Sequence, residues 1–259
     1  MLILNDVVKT FGENRAVDGM TAQIQRGAIT GLIGPNGAGK TTLFNVLAGA
    51  MPLTSGTVTL DGRAIGGLRA DQVFNAGLGR TFQIPKPFLE MTVLDNVILA
   101  VRSQAGESFW ANWVSPSRVA VQEREVRAKA MHWLDFVGLS KLATDAAKVL
   151  SGGQRKLLEL ARVMVAEPKI VLLDEPGAGV NPALLDTIVD RISVLHQQGT
   201  TFLIIEHNMD LVASLCNPVM VMAQGKLLVS GTASEVLSDP RVIEAYLGDV
   251  SDVNDEAPA

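Results

Sequence analysis

Nine residues, GPNGAGKTT at positions 34–42, carry the pattern G-x-x-x-x-G-K-[ST]. The chemistry this pattern suits is a grip on phosphate. Gly34, Gly37 and Gly39 let backbone N–H groups curl around an anion with no Cβ in the way, and Pro35, Asn36 and Ala38 space them. The stretch that follows, TTLFNVLAG, reads as a helix whose N-terminus adds partial positive charge. Lys40 is placed to reach the β- and γ-phosphates of a nucleoside triphosphate. Thr41 is placed to ligate Mg²⁺ through its hydroxyl, and Thr42 closes the loop.

Three further residues supply metal-binding and acid–base chemistry. In IVLLDE, Asp174 ends a buried strand, at the edge of an open α/β sheet where ligands bind, and one acid there suits an Mg²⁺ shell. Glu175 projects to the other side, because side chains alternate along an extended chain, and is placed to polarise an attacking water. His207 follows the TFLII strand at the same edge, where it can donate a hydrogen bond to developing charge. A second phosphate grip, LSGGQRKLLELA, occupies residues 150–161. Ser151 reads as a helix cap, and Gly152 and Gly153 allow close backbone approach. This grip has no lysine at the equivalent place and no acid-bearing strand of its own. It can touch phosphate without holding Mg·ATP alone. Either it folds back on the same nucleotide or it serves a nucleotide held by another copy, and the residues by themselves leave both open.

Such side chains need a sheet to hold them at one edge. AITGLIG feeds the first grip, while KIVLLDE and TFLIIEH are unbroken apolar runs ending in acids, as strands buried on both faces of a parallel sheet are. SGTVTLDGRAI alternates around an Asp61-Gly62 turn and, with TAQIQRG, predicts a small antiparallel sheet beside the main one. From residue 92 to 150 the pattern is helical, with Val126, Ala130, Trp133, Leu134 and Val137 at helical spacing. Trp110 and Trp113 read as packing within that region, with a partner contact as the alternative. TASE at 232–235 is a capping box opening the last helical stretch. The expected organisation is one domain over 1–248. Residues 1–91 and 151–248 make its nucleotide-binding core, 92–150 its helical subdomain, and the acidic end, 249–259, a disordered tail.

Composition narrows the class. The chain has 259 residues, 47% hydrophobic, with a formal net charge of -5, which argues against a nucleic-acid partner. The single cysteine, Cys216, forms no internal disulfide and fits a reducing cytosol. MLILNDVVKT lacks the marks of a signal peptide, and no apolar run approaches the ~20 residues needed to span a bilayer. Any membrane role is therefore expected to come through a partner.

Taken in order, GPNGAGKTT, Gln83, LSGGQ, IVLLDE and His207 resemble the ATP-binding subunit of ABC transporters over residues 2–248. The fold this implies is α/β: a P-loop NTPase core of the ABC ATPase type with a small antiparallel β subdomain and a helical subdomain. In that family two subunits pair head to tail. Each ATP lies between the Walker loop of one and the signature loop of the other, here Leu150, Ser151, Gly152, Gly153 and Gln154. The resemblance thus resolves the second grip as one acting on the partner's ATP. It also implies that Gln83 contacts Mg²⁺ and senses a membrane subunit, and that Phe11 stacks on adenine. Asn181 occupies the D-loop position where the wider family carries Asp. More finely, GLGRTFQIPKPFLEMTVLDNVILA, the helical stretch after Val101, GAGVNP and IIEHNMD are similar to the larger ATP-binding subunit of branched-chain amino acid importers. That likeness implies multi-span membrane subunits, a second ATP-binding subunit in a homo- or heterodimer, and a secreted solute-binding protein. It implies a peripheral location on the cytoplasmic face of the inner membrane. Pro85 and Pro87 make the bend after Gln83 a shaped loop, and Phe88, Leu89 and Met91 are its candidates for docking a membrane-subunit helix or for packing under the helical subdomain. The ATPase of a lipopolysaccharide exporter and a soluble ABC ATPase share the motifs. A P-loop metabolite kinase shares the first loop alone.

Overall fold

The computed structural model describes residues 1–81, 85–102 and 116–251. In chain order the elements are β1 (Leu2–Phe11), β2 (Asn14–Ile24), β3 (Ile29–Ile33), α1 (Lys40–Leu47), β4 (Ser55–Leu60), β5 (Arg63–Ala64), α2 (Ala70–Ala76) and β6 (Leu78–Arg80). Then come α3 (Val93–Ile98), α4 (Pro116–Phe136), α5 (Gly152–Met164), β7 (Ile170–Asp174) and α6 (Pro182–Gln197). The chain continues through β8 (Thr201–Ile205), α7 (Met209–Leu215), β9 (Val219–Ala223), β10 (Lys226–Gly231), α8 (Ala233–Leu237) and α9 (Pro240–Ser251). Trp110, Trp113 and the tail from 252 onward lie outside the described residues.

The elements sort into two compact units. The first comprises Met1–Arg80, Lys169–Gly177 and Ser193–Ala259. Its main sheet has the order β10-β9-β3-β8-β7-β6, with β6, β7, β8, β3 and β9 parallel and β10 antiparallel at one edge. All five residues of β3, β7 and β8 are buried, which is why these strands read as unbroken apolar runs. Their carboxyl ends carry the phosphate loop, Asp174 and the approach to His207 respectively. A second sheet, β2-β1-β4-β5, is antiparallel throughout. The β4–β5 hairpin turns on Asp61 (φ 50°) and Gly62 (φ 80°), the paired positive φ values of a two-residue hairpin. The Met1 ammonium, Arg26 and Lys169 surround the Asp61 carboxylate and hold its pKa well below the usual carboxylate range. Lys169 precedes β7, so this cluster ties the hairpin to the strand that carries Asp174.

The second unit comprises Thr81–Pro168 and Ala178–Ile192, reaching past residues 92–150 to take in α5 and most of α6. Thr92 caps α3, its hydroxyl accepting the Asp95 N–H at 3.0 Å. Val126, Ala130 and Leu134 form the buried stripe of α4, and α5 buries Leu157, Leu158, Leu160 and Ala161. Fully burying side chains of this size contributes about 1.5–3 kcal/mol each, which holds short helices that would not persist alone.

Candidate functional site

The phosphate loop leaves the buried end of β3 and turns into α1 through Gly39, at φ 97°. A Cβ on Gly39 would collide with the Ala16 carbonyl, so the loop's path excludes every other residue there. Lys40, the first residue of α1, is 6% exposed, and its ammonium donates to the carbonyls of Gly34 at 2.7 Å and Pro35 at 2.8 Å. The side chain therefore lies along the loop rather than reaching into solvent. Asn36, Gly37 and Thr41 are exposed, and Thr42 is half-buried. The first-turn N–H groups of α1 have no carbonyl four residues back to bond within the helix, and such a helix end suits an anion.

Asp174, 3% exposed, ends β7. Burial pushes its carboxyl pKa up, against the opposing pull of Arg80. Arg80, the last residue of β6, places Nη2 at 3.1 Å from Asp174 Oδ2 and Nη1 at 2.6 Å from Asn45 Oδ1 on α1, with its guanidinium above the Phe44 ring. One arginine thus links the helix after the phosphate loop to the acid at the strand end. The chain then bends. Glu175 takes a left-handed φ of 49°, its N–H donating to the Ile205 carbonyl at 3.0 Å. That bend turns its carboxylate toward the next strand, where Oε1 lies 3.1 Å from His207 Nε2. Glu175 and His207, assigned separate tasks from sequence, form one pair.

Phe11, at the end of β1, is 49% exposed, with the Lys9 ammonium 5.1 Å from its ring centre. Its outer face is open to a flat partner. Gln83 lies outside the described residues.

In the second unit, Ser151 caps α5 in a full capping box. Its hydroxyl accepts the Gln154 N–H at 3.3 Å, and the Gln154 side chain accepts the Ser151 N–H at 3.0 Å. Leu150 is buried beneath, while Ser151 and Gly152 are exposed at the helix tip. Gly153 is buried, and a Cβ there would strike Leu184 of α6. Asn181 caps α6, accepting the Leu184 N–H at 3.0 Å with Pro182 in the first helical position. Asparagine is among the residues that serve such a cap best.

The donor set fits Mg²⁺. A hydroxyl at Thr41 and a buried carboxylate at Asp174 are hard oxygen ligands, and Mg²⁺ is commonly held by one or two protein groups plus phosphate oxygens. Among the described residues no cluster of three or more His, Cys, Asp or Glu could hold a metal ion. Among the described residues no helix is long and apolar enough to cross a membrane.

Two residues at this site escaped the sequence reading. Arg80 ends a strand of three residues, and its only signal is a charge closing the short apolar LG run. Glu206, 5% exposed, follows β8, and its signal is the acid that ends TFLII.

Comparison with known proteins gives concordant results. The pattern of the ABC transporter family matches residues 17–178, and that of the branched-chain amino acid ATP-binding cassette transporter matches residues 226–252. A probable branched-chain amino acid transport ATP-binding protein, LivG, of Methanocaldococcus jannaschii is 38% identical over 258 residues, covering 96% of this chain and 98% of the relative. The high-affinity branched-chain amino acid transport ATP-binding protein BraF of Pseudomonas aeruginosa is 38% identical with the same coverage. Among solved structures, a nucleotide-free ATP-binding cassette from an ABC transporter superposes with a TM-score of 0.81 at 37% identity, covering 95% of this chain and 98% of that one. The ADP conformation of such a cassette gives 0.80 at 37% identity, covering 96% and 98%. With a family pattern that spans the phosphate loop, the Ser-Gly-Gly helix and the strand-end acids, and with relatives 38% identical over 96% of its length, the chain belongs to the ABC transporter family as an ATP-binding cassette.

Proposed function

We propose that this cassette hydrolyses ATP to drive an importer of branched-chain amino acids or a closely related small solute. The observation that carries the reading is the match over 96% of the chain to proteins named for branched-chain amino acid transport. The matched C-terminal pattern over residues 226–252 supports the same subfamily.

In this reading the backbone of residues 34–42 cradles the phosphates and Lys40 exchanges its contacts on the Gly34 and Pro35 carbonyls for β- and γ-phosphate oxygens. Thr41, Asp174 and Gln83 hold Mg²⁺, which supplies charge neutralisation for phosphoryl transfer when bound. Glu175 orients and deprotonates the attacking water. His207 fixes the Glu175 carboxylate from its 3.1 Å contact and faces the transferred phosphoryl group. Phe11 stacks on the adenine ring. Leu150, Ser151, Gly152, Gly153 and Gln154 present the tip of α5 to the ATP of a second cassette, with Asn181 beside that shared site. The second cassette is an identical or a homologous chain. Multi-span membrane subunits recruit the pair to the cytoplasmic face of the membrane, and a secreted binding protein delivers the solute to them.

The test is reconstitution of the cassette with its membrane subunits in liposomes. Uptake of leucine, isoleucine or valine driven by internal ATP is expected, falling about 10²-fold or more with Glu175→Gln, while Mg·ATP binding persists and holds two cassettes together on size exclusion. Transport of another solute but none of these three overturns the substrate class, and undiminished hydrolysis by Glu175→Gln removes that residue as the base.

A further inference from the structure

Glu206 is a carboxylate buried to 5% exposure at the end of β8, where desolvation makes a charge costly unless its oxygens are bonded. They are, and the bonds divide. Oε1 accepts the Gly177 N–H at 2.7 Å. Oε2 accepts the His207 N–H at 3.1 Å, with the Asn208 N–H at the 3.5 Å limit. One oxygen holds the turn that follows Glu175, and the other holds the loop that carries His207.

That division matters because neither loop is fixed by regular structure. Glu175 sits at φ 49°, a conformation L residues resist, and the neighbouring Pro176 has no N–H with which to anchor the turn. The turn is tied to the end of β8 by the Glu175 N–H on the Ile205 carbonyl and by the Gly177 N–H on Glu206. His207 is held between the Glu206 carboxylate and the start of α7, which Asn208 caps by accepting the Leu211 N–H at 3.1 Å. The 3.1 Å approach of His207 Nε2 to Glu175 Oε1 lies between these anchors.

We infer that Glu206 is a positioning residue for ATP hydrolysis, a two-sided clamp that sets the separation of Glu175 and His207. The inference rests on the reading of Glu175 as the base. It explains the charge: both carboxylate oxygens must accept, and an amide would turn an N–H toward an N–H on one of the two sides. A side chain retained for packing alone would not need a second acceptor.

The experiment compares Glu206→Gln, Glu175→Gln and the double variant in steady-state ATPase of the full chain, with ATP affinity and melting temperature measured on each. Glu206→Gln is expected to lower kcat by about 10-fold to 100-fold, the cost of misplacing a catalytic group by a fraction of an ångström to one ångström, with KM for ATP unchanged. Because Glu206 acts through Glu175, the double variant should turn over no more slowly than Glu175→Gln alone. An unchanged kcat in Glu206→Gln, or a double variant slowed by the full product of the single effects, overturns the inference. A loss of ATP affinity matching the loss of kcat overturns it as well. If Glu206→Gln does not fold, Glu206→Asp carries the same comparison, since it keeps two acceptors and shortens their reach. Failure of the base reading is distinct: there Glu175→Gln itself keeps its turnover, whatever Glu206→Gln does.

Discussion

Replacing Arg80 with methionine should destabilise the sheet-bearing unit, and acid should relieve the damage. The ion pair it forms with Asp174 has side chains only 10% and 3% exposed at 3.1 Å, and the same guanidinium bonds Asn45 at 2.6 Å. Methionine keeps most of the volume above Phe44 but removes the cation beside the buried Asp174 carboxylate. Removing one member of a buried pair costs about 3–5 kcal/mol. At about 2–4 °C per kcal/mol for a chain of this size, the melting temperature at pH 7.5 should fall on the order of 10 °C. The pH dependence follows from the direction of the Asp174 shift. Burial already raises this carboxyl above its unfolded value, and Arg80 opposes that rise. Without Arg80 the folded pKa climbs further. A carboxyl whose folded pKa exceeds its unfolded one costs stability as pH rises through the interval between the two, and returns it as pH falls. The gap between wild type and Arg80→Met should therefore be widest near pH 7.5 and should shrink toward pH 5, as followed by circular dichroism melts at both pH values. Adding Asp174→Leu to Arg80→Met should recover part of the loss, because an apolar pair has no charge to strand. An Arg80→Met chain that melts with wild type at pH 7.5, or a gap that widens on acidification, would refute the argument.

Two other outcomes are expected. A Lys40→Ala chain and a Ser151→Arg chain, each unable to form an ATP-dependent crosslinked pair, should recover one on mixing, since an intact phosphate loop then meets an intact Ser-Gly-Gly loop; no recovered crosslink counts against a shared site. Replacing Phe88 and Leu89, 53% and 43% exposed, with serine should move the melting temperature little, because the Asn96 side chain holds the Phe88 main chain on both its N–H and its carbonyl; co-purification with membrane subunits should be lost, and retained transport would put the docking surface elsewhere.

Much of the first unit was legible because of how it is buried. β3, β7 and β8 have no solvent face, so their sequences show no alternation and announce parallel strands. The Asp61-Gly62 turn carries its own signal, since those residue types tolerate positive φ. The β9–β10 hairpin was missed. Its first strand, VMVMA, is rich in methionine, which favours helices as readily as strands, and its turn is Gln224-Gly225 (φ 48° and 79°) rather than an asparagine or aspartate turn. At the site, the strand ends predicted where Asp174, Glu175 and His207 would stand, because motif position and strand end coincide. Their contacts were not legible. The Glu175–His207 pair depends on a left-handed bend, and the Arg80 and Glu206 bonds depend on which loops two buried side chains reach across the sheet. Local pattern holds no record of such distances.

Gly153 lies against Leu184 and Val180 with no space for a Cβ, and Leu184 belongs to the turn that Asn181 caps. The tip of α5 and the start of α6 pack closely on each other through the Leu184 side chain. A displacement of the Asn181 turn is therefore expected to press on the Ser-Gly-Gly tip through the Leu184 side chain. If two cassettes share two nucleotides as proposed, each chain is expected to report the filling of one site to the other as movement rather than as contact. Turnover should consequently rise more steeply with ATP concentration than a single independent site allows. Loosening the seat with Leu184→Ala should flatten that curve while leaving each phosphate loop intact.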